Sequence, residues 1–327
     1  MTLVVLKFGG TSLANTKLMS NAVEKVLNEI SLGNKVIVVV SAMAGVTDHL
    51  VSLTHEISDC ASADNAAEYA NVITSGEQIS AGLFTLLLQQ AGVKARSWLG
   101  WQAGIITDNA LSNGNIIDLK YDSLNESLNR YQVAVVTGFQ GVTKDRRVSS
   151  LGRGGSDTTA IILAGALKAK RCDIYTDVEG VFTADPRVVA KAQKLDSINY
   201  DQMIAFAHAG AKILQAKSVK WAKHYQVPVQ VLSSFTSNPG TLVSNIETIC
   251  PIAGIALSQE ENLAKISIIG TNIENNSTLE AKLKEKLLKK NIEIFSLSSA
   301  TMILSFLIKE ENKFDAMRLL HTACKLD

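Results

Sequence analysis

The chain has 327 residues, of which 46% are hydrophobic and 19% charged, with a formal net charge of +1. This is globular composition, enough for one large α/β domain and a smaller one, and it excludes long disorder. No basic run marks a nucleic-acid footprint, and no apolar run reaches the length of a membrane span. The short apolar run at residues 3–6 precedes Lys7, whereas a secretion signal puts charge first and a longer apolar stretch after it. Cys60, Cys172, Cys250 and Cys324 lie far apart with no C-x-x-C pair, which fits reduced thiols in a cytoplasmic protein.

In chain order, residues 2–6 read as a buried strand and 14–30 as an amphipathic helix. A Gly33-Asn34 turn leads to a second strand at 35–40, nearly all valine and isoleucine. Strands apolar on both faces around a helix predict a parallel sheet covered on both sides. The pattern recurs with a helix at 83–90, a strand at 132–136, a helix at 158–168 and a strand at 172–176. A long helical stretch over 201–224 and a strand at 229–232 follow, and the large domain ends near Asn238-Pro239-Gly240. Beyond it lie strands at 251–257 and 264–269, a charged amphipathic helix at 278–290, strands at 292–297 and 302–308, and a helix at 313–324. That is a small α+β module of β-β-α-β-β-α order.

Several chemistries are excluded by missing motifs. There is no G-x-x-x-x-G-K-[ST], so the chain is not a P-loop enzyme. Gly152 to Asp157 opens like G-x-G-x-x-G but has Asp157 in place of the third glycine. His55-Glu56 opens like H-E-x-x-H without its second histidine, and the five histidines show no metal-ligand spacing. H-R-D and D-F-G, the marks of protein kinases, are absent.

Other stretches carry chemistry. In Lys7-Phe8-Gly9-Gly10-Thr11-Ser12, between strand and helix, the glycines let backbone N–H groups approach an anion and Lys7 can reach it as a point charge. A solvated lysine before a glycine turn reads equally well. Ser41 and Thr47, after the next strand, can orient a small polar ligand or cap a helix. Thr74-Ser75-Gly76-Glu77 has capping-box spacing, which favours a cap over a carboxylate aimed at a substrate ammonium. Leu151-Gly152-Arg153-Gly154-Gly155-Ser156-Asp157 is the most informative segment: an arginine fork among glycines, at a helix start that favours negative charge. Tyr175 to Arg187 can wrap a nucleotide, or make turns at Glu179-Gly180 and Asp185-Pro186. Lys212, in Gly210-Ala211-Lys212, reads by default as a solvated lysine on a helix face.

Taken together and in this order, the motifs resemble those of the aspartokinases within the amino-acid kinase family. The matching elements are K-F-G-G-T-S at Lys7, V-S-A-M-x-G-V-T at Val40, S-G-E at Ser75, Q-A-G at Gln102 and T-G-F-Q-G at Thr137. L-G-R-G-G-S-D-T-T-A at Leu151, Y-T-D-V-x-G-V-x-T-A-D-P-R at Tyr175 and G-A-K at Gly210 complete the set. The resemblance implies a three-layer α/β/α kinase domain with a mainly parallel sheet over residues 1–245, and an α+β ACT-like regulatory or dimerisation domain over 250–327.

It also implies transfer of the γ-phosphate of ATP to the side-chain carboxylate of L-aspartate, with Mg2+ held mainly through the nucleotide phosphates. Lys7 and Asp157 are the implied catalytic residues, with Ser41, Thr47, Glu77, Arg153, Gly154, Gly155 and Ser156 on aspartate. Glu77 takes the ammonium and Arg153 the carboxylates, so the resemblance tips Glu77 from cap to ligand. Lys7, Phe8, Gly9, Gly10, Thr176, Asp177, Phe182, Thr183, Ala184, Asp185, Pro186, Arg187 and Lys212 are implied around ATP. The chain departs from the family pattern at Phe182, usually tyrosine, and at Gln215-Ala216, usually His-Pro. The family commonly inserts a second ACT module after a leading strand. Here residues 251–257 resemble that strand and Leu263 onward the outer module, with no inserted module between, which counts against feedback by lysine or threonine. A homodimer through the ACT-like domain is expected, with no nucleic-acid or membrane partner. The alternatives are a kinase of another carboxylate and a catalytically silent amino-acid sensor.

Overall fold

The computed structural model describes residues 2–57, 65–247 and 251–327. Cys60 and Cys250 lie outside the described residues, while Cys172 and Cys324 are buried free thiols. The elements begin with β1 (Leu3–Phe8), α1 (Thr16–Ser31), β2 (Lys35–Val40), α2 (Val46–Ile57), α3 (Ala66–Ile73) and α4 (Ser75–Gln90). Next come β3 (Ala95–Trp98), β4 (Ile105–Thr107), β5 (Ile116–Leu119), α5 (Asp122–Ser127), β6 (Val133–Thr137), β7 (Gln140–Val142) and β8 (Val148–Ser150). Then follow α6 (Gly155–Ala166), β9 (Cys172–Thr176), β10 (Ser197–Asn199), α7 (Tyr200–His208), α8 (Ala216–Tyr225), β11 (Val229–Ser233) and β12 (Thr241–Ser244). The last elements are β13 (Ile252–Glu260), β14 (Leu263–Gly270), α9 (Ser277–Leu288), β15 (Ile294–Ala300), β16 (Ile303–Lys309) and α10 (Lys313–Ala323).

Two compact units form, Met1–Val178 with Trp221–Asn238, and Glu179–Lys220 with Pro239–Asp327. The first contains parallel strands in the order β11-β9-β1-β2-β6-β3. Its inner strands are buried β-branched runs, as the sequence requires of a sheet with both faces covered. Val4, Leu6 and Phe8 pack with Val23 and Val26 of α1 and Phe84 and Leu88 of α4. Strand alternation turns Lys7 to the opposite face, where its partner Asp157 stands on α6. Helices therefore cover both faces of this sheet. A second sheet, ordered β5-β4-β7-β8, was not expected, because strands of three or four residues leave too little periodicity to read.

In the second unit the module has the anticipated β-β-α-β-β-α order, built as an antiparallel sheet β13-β14-β16-β15. Ile266, Ile268, Leu304, Phe306 and Ile308 pack under Leu283 and Leu287 of α9 and Met317 and Leu320 of α10. On the other face Ser267 and Ser305 pair across β14 and β16, hydroxyl to hydroxyl at 2.8 Å. β14 and β16 are the inner strands, so the edges of the sheet are β13 and β15.

The long helical stretch expected over 201–224 is two helices. α7 stops at His208 and α8 begins at Ala216, with Gly210 at φ +102° between them. A Cβ on Gly210 would meet the Ser258 side chain at 2.7 Å, so the helix cannot run through. Lys212 therefore stands on an exposed connection, not on a helix face.

Candidate active site

The C-terminal end of β1 delivers Lys7, which is 9% exposed, to the start of α6. Its Nζ lies 2.7 Å from Asp157 Oδ1. α6 begins at Gly155 after Gly154, whose φ of +74° places it in the left-handed region that glycine enters without strain. Ser156 and Asp157 thus occupy the first turn, and neither caps the helix. Gly138, just past β6, lies so near α6 that a Cβ would stand 2.6 Å from Ser156 Oγ. Lys7, Ser156 and Asp157 are set by backbone approach, and Arg153 extends from the glycine turn, exposed.

Glu77 arrives from the first turn of α4. The capping box anticipated from its spacing does not form. Thr74 Oγ1 donates back to Ala70 O at 2.8 Å and caps nothing. Glu77 Oε1 instead accepts the Ala42 N–H at 2.9 Å, and Oε2 has no hydrogen-bond partner among the described residues. Burial pushes the Glu77 carboxyl up to about 7, against the lowering effect of the Ala42 N–H.

These groups converge on one cavity of about 320 Å3, at the small end of the ~300–1,000 Å3 typical of small-molecule sites. Lys7, Gly10, Ser41, Thr47, Glu77, Arg153, Gly154, Gly155, Ser156 and Asp157 all line it. Phe139, Ala42, Met43 and Asp48 line it too and were not singled out as site residues.

The remaining anticipated residues lie elsewhere. Phe8 is fully buried, its ring stacked at 4.9 Å on Tyr175 and 5.6 Å on Phe84. Gly9 is buried beside it, with its N–H on Tyr175 O at 3.2 Å. Thr176 Oγ1 donates to Asp177 Oδ1 at 3.1 Å. In the second unit Arg187 pairs with Asp185 at 2.7 Å, which holds the Asp185 carboxyl below its usual range. Pro186 is exposed and Phe182 half-buried, whereas Thr183 is buried and Ala184 packs into the C-terminal core.

The profile of the amino acid kinase family matches residues 2–233. Aspartokinase 2 of Bacillus subtilis is 41% identical over 317 residues, which are 95% of this chain and 76% of that protein. The chain belongs to the aspartokinases. An aspartokinase of Rickettsia felis is 44% identical over 270 residues, covering 82% of this chain and 67% of its own. Among solved structures, Escherichia coli aspartokinase III in complex with aspartate and ADP matches with a TM-score of 0.85. At 23% identity, over 98% of this chain and 99% of that one, it shares the fold.

As an aspartokinase, the chain is an ATP-dependent kinase. Phe139 sits inside T-G-F-Q-G, and Ala42 and Met43 inside V-S-A-M-x-G-V-T, so the motifs carry a signal for all three. The φ of +66° at Phe139 is uncommon for a bulky residue and has no mark in the sequence. Ala42 contributes a backbone N–H, which side-chain chemistry cannot announce. No helix among the described residues is long and apolar enough to cross a membrane.

Proposed function

We propose that this aspartokinase transfers the γ-phosphate of ATP to the β-carboxylate of L-aspartate, giving 4-phospho-L-aspartate. This is the first step toward lysine, threonine and methionine, and toward diaminopimelate. The observation that carries the reading is the convergence of Lys7, Glu77 and Arg153 on one small cavity. Aspartate offers one ammonium and two carboxylates. Glu77, buried with an unpartnered oxygen, supplies an acceptor for the ammonium. Arg153, flanked by Gly152 and Gly154, supplies a planar fork for carboxylates.

The acceptor carboxylate has an ordinary pKa of about 4 and is ionised at neutral pH. The step needs no general base; it needs an anion brought against a polyanion. Lys7 neutralises charge on the transferring phosphoryl group. Asp157, 2.7 Å from the Lys7 ammonium, holds that ammonium in place and is not required to remove a proton. Magnesium is expected to arrive on the nucleotide phosphates. Asp157, one of three carboxylates lining the cavity with Asp48 and Glu77, would help hold it, and bound magnesium would supply charge neutralisation.

Thr176, Asp177, Phe182 to Arg187 and Lys212 are the segments we assign to ATP. Residues 1–245 act as the kinase domain and 250–327 as an ACT-like regulatory or dimerisation domain. The edge strand β15, with Phe295 49% exposed, is the surface proposed for pairing with a second subunit in a cytoplasmic homodimer. ADP release with Mg-ATP tests the reaction. Turnover with L-aspartate but not with glutamate or N-acetylglutamate is expected. Turnover with another carboxylate alone would refute the aspartate assignment.

A further inference from the structure

Thr183 is tied down on every polar atom inside the second unit. Its N–H donates to Gln193 O at 2.9 Å, and its carbonyl accepts the Ile255 N–H at 2.7 Å. Its hydroxyl oxygen accepts the Gln193 N–H at 2.9 Å. The last contact comes from 138 residues away, where His321 Nε2 on α10 lies 2.9 Å from Thr183 Oγ1. His321 is 0% exposed, and its Nδ1 lies 2.9 Å from Asp327 Oδ1. Asp327 is held in turn by Thr322 Oγ1 at 3.0 Å and Lys191 Nζ at 3.2 Å.

One arrangement pairs every donor with an acceptor. With its proton on Nδ1, the imidazole donates to Asp327 and accepts the Thr183 hydroxyl proton at Nε2. The Thr183 oxygen is then left to accept from Gln193. A buried imidazole with both nitrogens paired is directional in a way that an apolar side chain is not. His321 follows Met317 and Leu320, which fill the core of the module. Leucine would serve packing there, so what the imidazole adds is the fixed orientation of Thr183.

Thr183 stands between Phe182 and Asp185, in the segment assigned above to ATP. We propose that His321 is a positioning residue for the nucleotide: through Thr183 it holds residues 182–187 in the shape that receives ATP. The proposal rests on that nucleotide assignment.

The test measures ADP affinity by calorimetry, the KM values for ATP and aspartate, kcat, and the melting temperature. The variants are His321→Leu, Thr183→Val, their combination, and the conservative Thr183→Ser. His321→Leu and Thr183→Val should each weaken ADP binding and raise the ATP KM about 3- to 10-fold, as for a lost buried hydrogen bond. The aspartate KM should stay within about twofold, the double variant should be no worse than the worse single one, and Thr183→Ser, which keeps the hydroxyl, should lose less ADP affinity than Thr183→Val. Unchanged ADP affinity in folded single variants overturns the proposal. So does parallel loss of ADP and aspartate binding in step with melting temperature, which marks a purely structural role. If His321→Leu fails to fold, His321→Gln decides in its place, with the same readouts. A wild-type chain that binds ADP without aspartate turnover refutes the function above but leaves this test intact; one that binds no ADP overturns both.

Discussion

Glu77 and Thr183 are both buried polar residues in motif segments, and the two units treat them in opposite ways. In the first unit Glu77 is 3% exposed, has one oxygen on the Ala42 N–H, and keeps the other without a partner on the wall of a cavity. In the second unit Thr183, 5% exposed, has its N–H, carbonyl and hydroxyl all engaged by neighbours. An unpaired buried carboxylate is costly, and the cost is relieved by taking up a proton, as its raised pKa reflects, or by a ligand that completes it. A saturated hydroxyl has nothing left to offer a ligand. Glu77 thus keeps an acceptor that a ligand could complete and Thr183 does not, although both are candidates for contact in the sequence.

The strongest way to strain that comparison is to weaken the holding unit alone. Phe306 is fully buried between α9, α10 and the antiparallel sheet. Phe306→Ala should cost about 3–5 kcal/mol by cavity formation, read from denaturant unfolding. The aspartate KM of the remaining folded protein should stay within about twofold, since all cavity-lining residues lie in the first unit. A rise in aspartate KM in step with the lost stability would break the division between binding and holding.

Removing charge from the binding unit comes next. Lys7→Met should lower kcat about 10²- to 10³-fold, the scale of a lost transition-state donor, and should also lower the melting temperature, because it leaves buried Asp157 without its partner. Asp157→Asn keeps the shape and one acceptor beside the ammonium, and should cost less than about tenfold. Single-turnover rates separate the two. Equal losses would make Asp157 a chemical participant rather than an anchor for Lys7.

What the sequence makes legible follows the physics of each element. β2 and β9 fall on the anticipated residues, because buried β-branched runs between turn residues have one reading. The helix break at Gly210 was hidden, because its cause is the close approach of Ser258 from β13. Lys7, Arg153 and Asp157 were legible as a motif, and their convergence is what the parallel sheet supplies. Glu77 shows the limit most clearly. T-x-x-E spacing satisfies both a cap and a ligand, and the choice falls to the Ala42 N–H, 35 positions away in the chain.

The smallest effect isolates Glu77 itself. Its carboxyl titrates near 7 when buried, above its ordinary value of 4.5. Below about 4.5 both folded and unfolded forms carry the proton. As pH rises toward 7 the unfolded chain loses its proton first, so this residue's contribution to stability declines over that window and levels off above it. Aspartate binding runs the other way. With its ammonium on Glu77 as proposed, binding without nucleotide should tighten about tenfold from pH 6 to pH 8, because about a tenth of the groups are ionised one unit below the pKa. The side-chain carboxyl of aspartate titrates near 4, outside that window. Calorimetry at pH 6 in buffers of different ionisation enthalpy should register a proton released on binding. Glu77→Gln should bind more weakly, with no pH slope and no released proton. A slope that persists in Glu77→Gln would move the titration to another group and return Glu77 to the role of a spacer between α4 and the Ala42 turn.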